Sequence, residues 1–160
     1  MSTAPPVTLR RMRWWDVESL LPLEAELFGG LAWSAETFWS ELAAPGRWYV
    51  VAVDDTTEGL PLAYAGLAAS GPEADVQTIA VSSSAQGRGI GATLLRAMVE
   101  EASARGATSL LLEVRADNGP AIALYVRQGF ERIAVRRGYY QPGNIDAHIM
   151  RLRPVRKVSE

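Results

Sequence analysis

The chain has 160 residues, of which 48% are hydrophobic and 21% charged, and its formal net charge is −2. This length and composition predict one folded domain with a substantial core and favour a folded protein over a disordered chain. The weak negative charge argues against sequence-independent nucleic-acid binding, and the absence of cysteine excludes disulfides, thiolate metal sites and thiolate nucleophiles.

The N-terminal third is predicted to hold a short strand followed by two helices. Residues 7–12 are typical of an edge strand, and Asp16 is a candidate cap for a helix that ends near residue 28. Pro22 falls inside that helix, at a position where proline bends or splits helices. Ser34 is a good N-cap for a second helix to about residue 43.

The rest of the chain is predicted to alternate between strands and helices. Turn residues 54–59 join two strands into a hairpin, and Asn118-Gly119-Pro120 opens a short helix that ends at Gly129. The order is an antiparallel meander, a βαβα segment and a closing pair of strands, which predicts a mixed sheet with helices on it. The predicted strands are residues 48–53, 60–69, 74–81, 109–115, 130–136 and 146–153, and a longer helix is predicted over residues 92–104.

A glycine-rich turn, Gln86-Gly87-Arg88-Gly89-Ile90-Gly91-Ala92, precedes that longer helix. Three glycines in five positions let several backbone N–H groups approach one anion, and the helix directs its positive dipole end to the same place. The turn is therefore either a phosphate or pyrophosphate site or only a tight turn. A P-loop is excluded because the single lysine is Lys157, and the dinucleotide fingerprint is excluded because the spacing is Gly-x-Gly-x-Gly.

The glycine turn and the motifs around it together resemble a known family. Four motifs are similar in order and spacing to those of the GNAT acetyltransferases. They are Ile79-Ala80-Val81, the glycine turn, Leu112-Glu113-Val114-Arg115 and Asn118-x-x-Ala121-x-x-Leu124-Tyr125-x-x-x-Gly129-Phe130. Within these acetyltransferases the chain resembles the ribosomal-protein-alanine N-acetyltransferases, through Trp33-Ser34-x-x-x-Phe38 and Arg136-Arg137-Gly138-Tyr139-Tyr140. Ser82-Ser83 and Ala85 depart from the family pattern, and we expect them to alter the stiffness of the loop and not the chemistry.

The resemblance implies an α/β (α+β) fold, the GNAT fold, over a single domain of residues 1–160. Its mixed central sheet has about seven strands with helices on both faces. The sheet is expected to splay between the fourth and fifth strands. Short flexible tails are expected at about residues 1–6 and 154–160.

The resemblance also implies acetyl-CoA as the donor. Its pantetheine arm would pair with the strand that carries Ile79, Ala80 and Val81, and Asn118 would hydrogen-bond the arm. Alternatively, Ile79 and Val81 are plain core residues, and Asn118 is a helix N-cap or Asx turn. The pyrophosphate would lie on the backbone N–H groups of Gly87, Arg88, Gly89, Ile90, Gly91 and Ala92.

Two residues carry the catalytic roles that the resemblance implies. Glu113 interrupts an apolar strand, so it either faces a cleft as a general base or forms a salt bridge with Arg115 or another arginine on the same face. Tyr125 corresponds to the general acid of the family, because a phenol with a pKa of about 10 can protonate a departing thiolate. Without the resemblance, Tyr125 would be interpreted as a core aromatic.

The resemblance further implies an acceptor groove for a peptide N-terminus, flanked by Trp33, Tyr139 and Tyr140. Tyrosine pairs bury area yet keep a hydroxyl for a peptide backbone, whereas Trp33 could simply staple the second helix. We expect no metal, because His148 is the only histidine and no cysteine completes a zinc set. The basic cluster of Arg151, Arg153, Arg156 and Lys157 is expected to be a solvated tail.

The sequence thus predicts a bacterial enzyme that acetylates the N-terminal alanine of a small-subunit ribosomal protein. The alternatives are an acetyltransferase acting on lysine side chains or a small-molecule amine, and a non-catalytic acetyl-CoA-binding module. No direct nucleic-acid or membrane partner is expected, and a monomer is favoured. Because no apolar run has the roughly 20 residues of a membrane span and the N-terminus lacks a signal peptide's apolar core, we expect a cytoplasmic protein.

Overall fold

The computed structural model describes residues 6–57 and 59–155. Within them, seven strands form one sheet in the order β1-β2-β3-β4-β5-β7-β6, and four α-helices pack on it. The strands are β1 (Thr8–Arg11), β2 (Arg47–Val53), β3 (Ala63–Ala69), β4 (Glu73–Val81), β5 (Ser109–Arg115), β6 (Glu131–Tyr140) and β7 (Ile145–Leu152). The helices are α1 (Val17–Phe28), α2 (Ala35–Ala43), α3 (Ile90–Ala104) and α4 (Gly119–Arg127).

The β4–β5 pair is the parallel contact of this otherwise antiparallel sheet. It is short: Glu73, Ala74 and Asp75 pair with Ser109, Leu110 and Leu111, and the two strands separate beyond them. The predicted mixed sheet of seven strands and the predicted splay between the fourth and fifth strands are therefore confirmed.

Helices cover both faces of the sheet, as predicted. Alternate residues of a strand point to opposite faces, so Val50 and Val51 of β2 belong to different core clusters. One cluster packs α3 and α4 against the sheet through residues such as Leu94. The other packs α1 and α2 through residues such as Leu20 and Phe38. Because both faces are covered, β2 and β3 are almost continuous apolar runs without polar alternation.

Two of the predicted helix caps are present. The Ser34 hydroxyl accepts a hydrogen bond from the Thr37 N–H at 3.2 Å and caps α2. The Asn118 side-chain oxygen accepts one from the Ala121 N–H at 3.3 Å and caps α4. Each bond satisfies one of the N–H groups that a helix leaves unpaired in its first turn.

The predicted cap at Asp16 is wrong. Its carboxylate makes no cap bond to α1; it accepts instead from the Arg13 N–H at 2.7 Å and from both terminal nitrogens of Arg10 at 2.8 Å. The two-pronged arginine contact ties β1 to the start of the helix, and a charged pair of this geometry is stronger than a single cap bond. Helix α1 also runs unbroken through Pro22.

The chain stays packed to the end of its described part. Val155 is buried in the core, and its N–H donates to the Thr108 carbonyl at 3.0 Å. Most of the two predicted tails, including Arg156 and Lys157, lies outside the described residues. Between residues 6 and 155, leaving out residue 58, no helix is long and apolar enough to cross a membrane.

We expect Gly66→Ala to destabilise the protein. A Cβ at Gly66 would overlap the Tyr49 ring, which is buried and held by a 2.7 Å bond from its hydroxyl to Glu41. Overpacking of this kind costs about 1–3 kcal/mol of unfolding free energy. Urea unfolding measures the loss. Gly30→Ala is the matched control because nothing lies within 4 Å of its added Cβ, and equal stability of the two variants would contradict the expectation.

Candidate active site

The divergence of β4 and β5 opens a cavity of about 720 Å³. Its walls come from both strands, from α1 and the loop that follows it, from α4 and the loop before it, and from the end of β6. A second cavity of about 540 Å³ shares part of this lining, and Glu113 borders both. The first cavity is lined by Glu24, Leu27, Phe28, Leu31, Trp33, Val76, Gln77, Thr78, Ile79, Leu112, Glu113, Val114, Arg115, Asp117, Asn118, Tyr125 and Tyr140.

The glycine turn forms an open backbone surface at the N-terminus of α3. Gly87 and Gly89 adopt positive φ angles of 85° and 77°, which favour glycine, and no atom lies within 4 Å of a Cβ built on either. Helix α3 begins at Ile90, so its unpaired N–H groups face the same turn. Of the two sequence interpretations, this geometry favours an anion site.

Two side chains brace this turn against the sheet. The Gln86 amide donates to the Val81 carbonyl at 3.2 Å. A terminal nitrogen of Arg88 lies 3.0 Å from the buried Asp54 carboxylate, whose other oxygen accepts from the Thr56 N–H and hydroxyl at 2.9 and 2.6 Å. Hydrogen bonds from Thr56 and Arg88 lower the pKa of Asp54. Arg88, predicted to contact the cofactor, therefore also anchors the turn through its side chain.

The strand predicted to carry the pantetheine arm meets the cavity further upstream than expected. Of the three predicted residues only Ile79 borders the cavity, whereas Ala80 and Val81 pack in the two core clusters. The cavity wall extends back through a bulge at Gln77, because Thr78 pairs with Gly66 and Val76 pairs with Leu67. A bulge bends a strand and redirects its backbone groups, and nothing in the sequence pattern marked it.

Asn118 fulfils its local structural role at the cavity edge. The cap bond to Ala121 engages its side-chain oxygen, as the local alternative predicted. The residue also borders the cavity, so its cofactor contact stays a prediction.

Glu113 combines both of the alternatives left open by the sequence. Its side chain is 38% exposed and borders the cavities, and its Oε1 accepts from Arg136 at 3.1 Å. Arg115, the nearer candidate partner in sequence, pairs instead with Asp117 through two bonds of 3.0 Å. The salt bridge is therefore made with an arginine on β6, and the carboxylate still faces the cavity. Its role as a base remains a prediction.

Tyr125 is buried at the cavity wall, with 6% of its surface exposed. Burial, followed by the nearby Tyr140, raises the pKa of Tyr125 to about 12. The phenol therefore keeps its proton at neutral pH and is available as a donor. Its ring also packs 6.0 Å from that of Phe130, so the core interpretation holds as well.

The predicted acceptor residues form one aromatic wall. Trp33 and Tyr140 border both cavities, and Tyr139 borders the second. The Trp33 ring packs edge-on against Phe38 at 5.2 Å, which agrees with the alternative that it staples α2. Tyr139 lies 5.1 Å from Tyr140 and carries the Arg136 guanidinium over its face at 3.9 Å. Their contact with a substrate stays a prediction.

The sequence analysis missed Glu24, a carboxyl group in the cavity wall. Only 2% of Glu24 is exposed, and its Oε2 accepts from the Trp33 N–H at 2.7 Å. Burial raises the pKa of Glu24, partly offset by that bond. The sequence contains a signal for this burial, because the spacing of Glu24 from Leu20 and Leu23 places it on the apolar face of α1.

Comparison with known proteins gives the family. Residues 10–130 match the Acetyltransferase (GNAT) family. The chain belongs to this family. It is 41% identical over 151 residues to the N-alpha-acetyltransferase RimI of Mycobacterium tuberculosis, covering 91% of this chain and 92% of that one. It is 37% identical over 122 residues to the ribosomal protein bS18-alanine N-acetyltransferase of Salmonella typhimurium, covering 75% and 80% of the two chains.

The fold comparison agrees with the family. The crystal structure of the ribosomal-protein-S18-alanine N-acetyltransferase from Escherichia coli matches with a TM-score of 0.83 and 31% identity. The match covers 97% of each chain. The predicted GNAT membership and the resemblance to the ribosomal-protein-alanine branch are therefore confirmed.

We expect Asp54→Asn to weaken binding of coenzyme A, the ligand predicted for the glycine turn. The substitution removes the charge that holds Arg88, so the turn is less preorganised and Kd rises roughly tenfold, or about 1.4 kcal/mol. Isothermal titration measures Kd, and thermal unfolding checks the fold. Asp55→Asn removes the same charge from the exposed neighbour and should leave Kd unchanged; equal Kd values for the two variants would contradict the anchoring role.

Proposed function

We propose that this GNAT protein transfers the acetyl group of acetyl-CoA to the N-terminal alanine α-amine of a small-subunit ribosomal protein. One observation carries the proposal. A glycine turn with an open backbone precedes α3, and a cavity bordered by Glu113 and Tyr125 opens where β4 and β5 part. This combination provides a candidate binding site for the acetyl donor together with a candidate base and a candidate acid.

Sequence similarity supports the acceptor class. The relatives named for acetylation of ribosomal protein bS18 include the Salmonella and Escherichia coli proteins, and the Escherichia coli structure matches along 97% of this chain. The aromatic wall agrees with a peptide acceptor, because Trp33 and Tyr140 offer both apolar area and hydrogen-bonding groups. A ribosomal substrate would place the protein in the bacterial cytoplasm.

The glycine turn fits the pyrophosphate of acetyl-CoA. A Cβ at Gly87 or Gly89 would occupy the open space where a diphosphate reaches the backbone N–H groups. The pantetheine arm would lie in the gap beside β4, where backbone groups beyond Asp75 have no β5 partner. Bound there, acetyl-CoA supplies the activated thioester that an amine can attack.

Proton transfer is assigned to Glu113 and Tyr125, which both border the cavity. Glu113 accepts a proton from the attacking amine as the new C–N bond forms and the C–S bond breaks. An α-amine has a pKa of about 7.7–8.0, so it needs only a modest base near neutral pH. Tyr125 gives its proton to the departing sulfur, and its burial keeps that proton in place beforehand. A backbone N–H of β4 stabilises the developing oxyanion.

A peptide assay tests the proposed acceptor. The protein is incubated with acetyl-CoA and peptides that begin with Ala, Ser or Met, and with an acetyl-Ala peptide that contains an internal lysine. We expect thiol release with the free N-terminus of the Ala peptide and none with the blocked peptide. Reaction of the blocked peptide would indicate a lysine acetyltransferase. Coenzyme A binding without thiol release from any amine would indicate a binding module.

We expect Glu113→Gln and Tyr125→Phe each to lower kcat by about 10²–10⁴-fold, the range for lost general acid–base catalysis. Coenzyme A affinity should stay unchanged, because both residues act at the reacting end. Glu131→Gln, an exposed carboxylate on β6, is the control. Unchanged kcat in either variant would remove that residue from the chemistry.

A further inference from the structure

Glu24 is a carboxyl group on the apolar face of a core helix. Leu20 and Leu23 of the same face are buried, and only 2% of Glu24 is exposed. Burying a carboxyl group costs free energy unless hydrogen bonds or a cation compensate it. The apolar pattern of the helix does not require this cost, because a leucine of similar size would fit the same face.

The surroundings of Glu24 satisfy only half of its carboxyl group. Oε2 accepts from the Trp33 N–H at 2.7 Å. Oε1 is buried and has no hydrogen-bond partner among the described residues, and within the same part of the chain no salt bridge includes Glu24. Glu24 nevertheless borders the cavity that holds Glu113 and Tyr125. A ligand that donates a hydrogen bond to this oxygen would satisfy it, because buried hydrogen-bond acceptors in proteins normally have a partner.

The ligand chemistry that best completes this carboxyl group is a primary amine. A protonated α-amine brings a positive charge and three N–H donors, which compensate both the buried charge and the unpaired oxygen. An N-acetylated terminus is neutral and offers a single N–H. A carboxyl group here therefore favours free N-termini over blocked ones.

We propose that Glu24 binds the protonated amino group of the acceptor and positions it near Glu113. The ammonium releases one proton to solvent to become a nucleophile, and Glu113 accepts a second proton as the C–N bond forms. This inference rests on the proposed function. The Trp33 bond gives the carboxyl group a second task, because its other oxygen holds the loop that carries Trp33, one residue of the aromatic wall. Glu24 thus positions both the acceptor amine, directly, and the first side chain of the acceptor, through Trp33.

Glu24→Gln separates these two tasks. Glutamine keeps the size of the side chain and an oxygen for the Trp33 N–H, but it removes the negative charge. Binding of an Ala-starting peptide to the coenzyme A complex is measured by calorimetry. We expect Kd for this peptide to rise roughly tenfold or more, which is typical of a lost hydrogen bond to a charged group. Kd for coenzyme A should not change, and the acceptor KM should rise more than kcat falls.

Two controls define the result. Glu18→Gln removes an exposed carboxylate from the same helix and should leave peptide Kd unchanged. The same peptide with an acetylated N-terminus should bind the wild type and Glu24→Gln with equal affinity, because neither complex contains the charge pair. An unchanged Kd for the free peptide in Glu24→Gln, or an equal loss for the blocked peptide, would overturn the proposal and leave Glu24 with a structural role only.

The proposed function and the Glu24 proposal can fail separately. If the wild type acetylates the Ala peptide and Kd does not depend on Glu24, only the Glu24 proposal fails. If the wild type binds the peptide through Glu24 without acetylating it, the proposed function fails and Glu24 stands as an amine-binding residue. If the wild type binds no free N-terminus, both are overturned.

Discussion

The brief contact between β4 and β5 is the constraint on which the rest of the structure depends. Three residue pairs join the strands, and beyond Asp75 and Leu111 their edges part. A sheet interior normally has no unpaired backbone groups, so a parting of this kind is stable only where side chains or a ligand occupy it. The cavity and the position of Glu113 at its wall follow from this break, and the bulge at Gln77 lies on the part of β4 that borders the cavity.

Three of the ionisable side chains that border the resulting cavity, Glu113, Tyr125 and Glu24, have different environments. Glu113 is partly exposed and held by Arg136, Tyr125 is buried among apolar groups, and Glu24 is buried with one hydrogen bond. Burial raises the pKa of Tyr125 and of Glu24. The phenol therefore stays protonated, and the buried carboxylate is stabilised by a bound cation or by protonation. The different environments, more than the residue types, allow different roles.

The sequence was sufficient for features that depend on local pattern. Strand β5, the caps at Ser34 and Asn118, and the glycine turn follow from periodicity, hydrogen-bonding chemistry and backbone freedom within a few residues. Features that depend on distant partners were missed: the Asp54–Arg88 contact spans 34 positions, and Glu24 is buried only because α1 packs on the sheet. Asp16 shows the same limit, because Arg10 competes with the local cap.

Arg136 joins two parts of the site that would otherwise be separate. Its guanidinium covers the face of Tyr139 at 3.9 Å and donates to Glu113 at 3.1 Å. A flat, permanently charged group can do both at once, whereas a lysine ammonium lacks the planar surface for stacking. Any redesign of the β6–β7 hairpin to admit a different acceptor would therefore also reorient the carboxylate on β5. With the proposed roles of Glu113 and Tyr139, acceptor choice and reactivity are coupled through Arg136, which makes the hairpin a poor segment to exchange between family members.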